Sequence, residues 1–180
     1  LTQNNGSMNI TGTSNTSYGV FQVGSYGNLT QANGSLNITG SSNSSDGVRL
    51  QGNITQTNGR FNVSTVVGNL NQSANMSIGN NLQLLAGTGS TAGNTGGGNV
   101  TLGGNINASN NATLAVFSGS PNTAAYQANI TGANSTGVYY KTYNTSAANV
   151  SPVNGTQNFY YRQAPSLNVT TSNKVYDTTT

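Results

Sequence analysis

One stretch is written three times, and it limits the fold more than any other feature of the chain. Thr2-Gln3-Asn4-Asn5-Gly6-Ser7-Met8-Asn9-Ile10-Thr11 returns as Thr30-Gln31-Ala32-Asn33-Gly34-Ser35-Leu36-Asn37-Ile38-Thr39. It returns again as Thr55-Gln56-Thr57-Asn58-Gly59-Arg60-Phe61-Asn62-Val63-Ser64, at offsets of 28 and 25 residues. An apolar residue precedes each copy (Leu1, Leu29, Ile54). A repeat of this period is the signature of stacked architectures in which no unit buries its apolar face alone. Within each copy the alternation Leu36-Asn37-Ile38-Thr39 sends Leu and Ile to one face and Asn and Thr to the other, as a strand does. Asn-Gly before the strand is a turn signal, because both residues tolerate positive φ. One copy taken alone reads as a β-hairpin.

The residues after each strand favour a coil instead. After Ile10 come Gly12, Asn15 and Ser17, then Gly19-Val20-Phe21-Gln22; after Ile38 come Gly40, Asn43 and Asp46, then Gly47-Val48-Arg49-Leu50. Three short apolar steps separated by small polar turns in each period predict a three-sided parallel β-helix, with each strand paired to its own copy about 4.8 Å above. Coil length varies at the turns. Beyond residue 64 the pattern loosens. Leu70-Asn71-Gln72 with Met76-Ser77-Ile78 reads as a shortened fourth copy. Leu82 to Leu85, Val100 to Leu102, Ile106-Asn107, Leu114 to Phe117 and Ile130-Thr131 read as further strands. Thr88 to Gly98 reads as a glycine-rich loop too polar to pack. Tyrosines then gather in Tyr139-Tyr140-Lys141-Thr142-Tyr143 and Phe159-Tyr160-Tyr161, near Pro152 and Pro165. The expected organisation is therefore coils over 1–117, a Tyr-rich β segment or cap over 118–165, and a strand or linker over 166–180.

Composition excludes most chemistry. There is no His, Cys, Trp or Glu, and Asp46 and Asp177 are the only acids. Zinc and iron–sulfur centres need Cys or His in numbers. A glycosidase pair would have to bring those two aspartates together across the chain. Ser and Thr abound, yet no His is present to activate one, and no GxxxxGK[ST] occurs to hold phosphates. No enzyme, cofactor or metal is expected. Arg49, Arg60, Lys141, Arg162 and Lys174 stand singly rather than as a nucleic-acid footprint. No stretch approaches the roughly 20 apolar residues of a membrane helix. Residue 1 falls inside a repeat, so a longer parent chain is expected, and the lack of a leader carries no news of compartment.

The chain holds 31 Asn, of which 20 stand in N-x-[ST]. Alternating strands built of Asn and Thr generate such sequons automatically, while a secreted protein would use them for N-glycans. Candidate attachment sites are Asn9, Asn37, Asn53, Asn62, Asn99, Asn129, Asn134, Asn144, Asn154 and Asn168. Asn at one position of successive coils also suits hydrogen-bonded amide ladders.

The runs Gly47-Val48-Arg49-Leu50-Gln51-Gly52-Asn53-Ile54-Thr55 and Gly98-Asn99-Val100-Thr101-Leu102-Gly103-Gly104-Asn105-Ile106 resemble the coils of large secreted adhesins of the filamentous-haemagglutinin type, exported by two-partner secretion. Ser166-Leu167-Asn168-Val169-Thr170 and Lys174-Val175-Tyr176-Asp177 look like the entry to the YDG-type (MBG-like) repeats that follow such helices, with Thr178 where that motif has Gly. The resemblance implies a right-handed β-helix displayed outside the cell, roles in adhesion, aggregation or biofilm, and N-linked sugars in some members. The leading expectation is an extracellular, non-enzymatic shaft that associates with itself and with a host or neighbouring cell. One alternative is an N-glycosylated filament subunit with a β-sandwich or jelly-roll fold, assembled by strand donation and paired mostly antiparallel. A second is a carbohydrate-binding module with a platform of Tyr139, Tyr140, Tyr143, Tyr160 and Tyr161.

Overall fold

The Asn-Gly turns do not close hairpins. The structure, a computed structural model, describes residues 1–24, 27–94, 96–109, 111–121, 129–132 and 139–165. In it β1 (Thr2–Gln3) turns into β2 (Ser7–Ser14), and the chain then enters β3 (Val20–Gln22). None of the three pairs with another. Each pairs with the matching strand of the next round: β4 (Leu29–Gln31), β5 (Ser35–Ser42) and β6 (Val48–Leu50). The third round is β7 (Ile54–Gln56), β8 (Arg60–Thr65) and β9 (Leu70–Gln72), and the fourth is β10 (Met76–Ile78), β11 (Asn81–Leu85) and β12 (Val100–Leu102). Then come β13 (Ile106–Ala108), β14 (Thr113–Ser118), β15 (Ile130–Gly132), β16 (Tyr139–Thr142) and β17 (Gln157–Tyr161). The first sheet is ordered β1-β4-β7-β10-β13-β15, the second β16-β17-β14-β11-β8-β5-β2, and the third β12-β9-β6-β3.

Every pairing among the described strands is parallel. The described protein is all-β and parallel, as a β-helix-like fold requires. It is not the antiparallel arrangement that a sandwich or jelly roll would need. The repeat supplies the reason: register aligns Met8 with Leu36 and Leu36 with Phe61, and aligns Ile10 with Ile38 and Ile38 with Val63. Like therefore stacks on like. Leu36, Phe61, Val63, Leu82 and Leu84 are all fully buried in one core, joined by Ile54 and Met76 from the first sheet and Val48 and Leu70 from the third. Each such side chain contributes about 2 kcal/mol when it leaves water.

Three sequence readings are corrected by the structure. Leu70-Asn71-Gln72 and Met76-Ser77-Ile78 do form strands, but not as a fourth copy of the opening motif. Leu70 aligns with Val48 in the third sheet and Met76 with Ile54 in the first. An inward Gln occurs in both sheets, so Leu-x-Gln does not mark the start of a round. Gly12 and Gly40 are not turn residues either. They lie inside β2 and β5, and at Gly40 a Cβ would come within 1.9 Å of the Gly47 carbonyl oxygen as the third strand passes. The strand continues to Ser42, whose buried hydroxyl donates to the Ser17 carbonyl at 2.6 Å and accepts the Ser45 N–H at 3.1 Å.

The third correction concerns the glycine-rich loop, which does pack, through its carbonyls. Winding changes after β15: β17 lies between β14 and β16, although β16 precedes it in the chain. Next to β17 stands Arg162, fully buried. Its Nη1 donates to the carbonyls of Ala86 and Gly87 at 2.6 and 2.8 Å, its Nε to Asn94 at 3.1 Å, and its Nη2 to Gly96 at 3.0 Å and to Gly98. The guanidinium lies 5.4 Å from the centre of the Phe117 ring. Burial lowers its pKa from the usual arginine value. Guanidinium suits such a site because its planar donors satisfy several acceptors at once.

Candidate functional site

The repeated polar residues are spent on stacking. Gln3, Gln31 and Gln56 occupy the inward third position of their segments and are buried. Gln31 Nε2 donates to the carbonyl of Gly34 in its own turn at 3.1 Å and to that of Arg60 in the next round at 3.0 Å. Gln3 does the same to Gly6 and Ser35, both at 2.9 Å, and Gln56 to Gly59 and Asn81 at 3.1 and 3.0 Å. One amide therefore closes its own corner and holds the next round onto it. Sequence reasoning missed this role. The signal was there, in the fixed spacing of Gln three residues before Gly.

A second column lies on the outer face of the second sheet. Asn37 Nδ2 donates to Asn9 Oδ1 at 2.8 Å, and Asn62 Nδ2 to Asn37 Oδ1 at 2.9 Å. The ladder expected from the repeat is present, and it ends where Gln83 replaces Asn on the next rung. Single amide pairs join Asn43 to Asn15 at 3.2 Å and Asn80 to Asn58 at 2.6 Å.

The candidate sequons consequently divide by environment. Asn9, Asn37 and Asn62 engage one another through their amides. Asn99 is half-buried, its Oδ1 accepting from Ser118 Oγ at 3.3 Å and from the Ser120 N–H at 2.8 Å. Asn129, also half-buried, donates to the Gly104 carbonyl at 3.3 Å. Asn53, Asn144 and Asn154 are exposed, Asn144 with a φ of 51°. Asn134 and Asn168 lie outside the described residues, as does the whole 166–180 segment.

The five tyrosines do not make one platform. Tyr161 is fully buried and stacks on Tyr143 with ring centres 5.3 Å apart. Tyr160 is buried in a small second cluster with Ala115 and Phe117, packed by Ala147 and Val150. That burial raises its phenol pKa above the ordinary value, against a smaller opposite effect from a backbone hydrogen bond at Ser151. Tyr140 is exposed, and the side chain of Tyr139 is outside what the structure describes. The aromatics pack, because β17 is covered on both faces: all five of its residues are buried.

Among the described residues, recesses lie at an apolar end of the stack, about 360 Å³ lined by Leu1, Ile10, Val20 and Phe21, and at two polar places. One of these, of about 390 Å³, holds Asp46 among Ser42, Asn43, Ser44, Ser45 and Asn69. The other, of about 350 Å³, opens on the outer face of the first sheet around Gly79. Among the described residues no group of three or more His, Cys, Asp or Glu comes together, and no helix is long and apolar enough to cross a membrane. No family model, curated protein or solved structure gives a significant match to the chain.

Proposed function

We propose that the chain is part of the shaft of a cell-surface adhesin: a right-handed, three-sided parallel β-helix, non-enzymatic, displayed outside the cell. The observation that carries this reading is the alignment of identical residues from round to round, with Gln, Asn and Gly columns all committed to stacking. Right-handedness follows from the general rule for parallel crossover connections. The absence of His, Cys and Glu supports a structural role over a catalytic one, and the likeness to filamentous-haemagglutinin-type coils supports secretion, adhesion and biofilm. In this reading 1–117 is shaft, 118–165 a Tyr-rich segment or cap, and 166–180 the start of a YDG-like repeat. Its partners are further copies, stacked end to end or laterally, and a host or neighbouring cell.

Electron microscopy of the native assembly tests the shaft: a thin rod layered at about 4.8 Å along its axis is expected, and a string of beads would overturn it. An N-glycan coat belongs to the same reading. It would fall on exposed Asn53, Asn144 and Asn154 before Asn9, Asn37 and Asn62, whose amides are engaged. A mass unchanged by enzymatic N-glycan removal removes the coat while leaving the shaft standing.

A further inference from the structure

The first sheet turns an unbroken row of hydrogen-bonding side chains outward. Register places Thr2, Thr30, Thr55, Ser77, Asn107 and Thr131 in line, one per strand. All six are exposed, and in β4, β7, β10 and β13 the residues on either side are buried. The rungs are spaced by about 4.8 Å, the distance between paired strands. The row carries no charge and no aromatic ring. It keeps a hydroxyl or amide at every rung but not the threonine methyl, which Ser77 and Asn107 lack.

Beside this row runs a second, in which Thr57, Gly79 and Ser109 continue the backbone ladder: Thr57 N–H donates to Gln31 O, Gly79 N–H to Gln56 O and Ser109 N–H to Ile78 O, at 2.8 to 2.9 Å. Gly79 lacks a side chain because a Cβ there would come within 2.1 Å of the Thr57 carbonyl oxygen, and a notch of about 350 Å³ lies over it. Its walls are Thr55, Thr57, Ser77, Asn107 and Ser109, and Ser109 Oγ is fixed by donating to the Gly79 carbonyl at 2.8 Å. Strand propensity accounts for Thr on a solvated face, but not for Asn107, which weakens a strand.

We propose that this face binds an extended neutral polysaccharide laid along the stack, one sugar per rung, with one ring seated in the notch at Gly79. A face without charge selects a partner without charge. A row of single hydroxyls and amides matches the hydroxyl edge of a sugar polymer. An extended β-1,4-linked glycan advances per sugar by close to the spacing between strands. With no ring to stack on, each rung contributes little, so binding accumulates with length as contacts are added along one chain. Such binding is independent of where the protein is displayed, and it differs from N-glycosylation in requiring no covalent bond.

The test titrates cello- and chito-oligosaccharides, from disaccharide to hexasaccharide, into chain produced without N-glycosylation. Affinity should climb with length and hold between low and high salt. The triple variant Thr55→Ala/Ser77→Ala/Asn107→Ala, whose substitutions are all on the solvent side, should bind the hexasaccharide about tenfold or more weakly, on the basis of several lost hydrogen bonds. The control Thr11→Ala/Thr13→Ala, on the second sheet, should bind as the parent does, with circular dichroism showing both variants folded. Absence of binding by the hexasaccharides, or equal binding by the triple variant, overturns the proposal. So does shaping of ice crystals without glycan binding, which would give the row to ordered water.

Discussion

Glycine at the Asn-Gly turn answers two separate demands, and they separate along the chain. Gly6, Gly34 and Gly59 all hold positive φ, at 81°, 86° and 87°. A Cβ on Gly6 would meet nothing within 4 Å, whereas on Gly34 it would come within 2.0 Å of the Gly6 carbonyl oxygen. Gly6→Ala should therefore cost only the left-handed backbone, about 1 kcal/mol. Gly34→Ala must also push apart two stacked turns, and should cost on the order of 3 kcal/mol. Urea unfolding of the two variants checks this, and equal losses would mean that the turns are not in close contact. The turn itself was legible, since Asn-Gly is a strong local signal. Arg162 was not. It looked like one of five scattered cations, because its partners are backbone carbonyls, and carbonyls have no sequence identity. Only the run of small residues from Ala86 to Gly98, able to bring so many carbonyls around one guanidinium, hinted at it.

Among elements, the Gln column explains why strands as short as three residues hold their place. Two hydrogen bonds from each side-chain amide fix β4 and β7 to their neighbours at the corner. Gln31→Met keeps length and approximate volume but leaves the Gly34 and Arg60 carbonyls without that donor. It should lower stability by about 1 kcal/mol, the net worth of side-chain bonds lost at part-buried carbonyls, since the Gly34 carbonyl keeps the Arg60 N–H at 2.9 Å, with the midpoint of urea unfolding shifted and its slope unchanged. A neutral result would show that core packing alone sets the corner. Alternation made the strands readable: Leu36, Ile38, Phe61 and Val63 face inward as the period of two requires. The phase of β9 and β10 was misread because Gln is an inward residue in more than one sheet, as Gln72 and Gln22 also show. The full length of β2 and β5 was hidden by Gly12 and Gly40, which look like breakers and act as clearance for a crossing backbone.

At the scale of the molecule, stability should add round by round, since each round touches only its neighbours. Deleting residues 29–53 tests this, and the count 53 − 29 + 1 gives 25, the offset between the second and third copies. Asn28 would then lead into Ile54 as Asn53 now does. Gln3 would meet the Arg60 carbonyl instead of that of Ser35, and Asn9 would meet Asn62 instead of Asn37. Met8 would lie over Phe61 and Ile10 over Val63, both apolar on apolar as in the present register. The shortened chain should keep its β circular dichroism and unfold cooperatively, with a urea slope smaller by about a seventh, in proportion to the surface removed. Deleting only 29–40 takes away fewer residues but joins Asn28 to Ser41, out of phase. It would leave β1 and β2 without matching strands above them, and the apolar face of β2 uncovered. The smaller deletion should therefore be the one that fails to fold. If both deletions behave alike, the stack is not the unit of this protein's stability, because only a stack is indifferent to the loss of a whole round and intolerant of the loss of half of one.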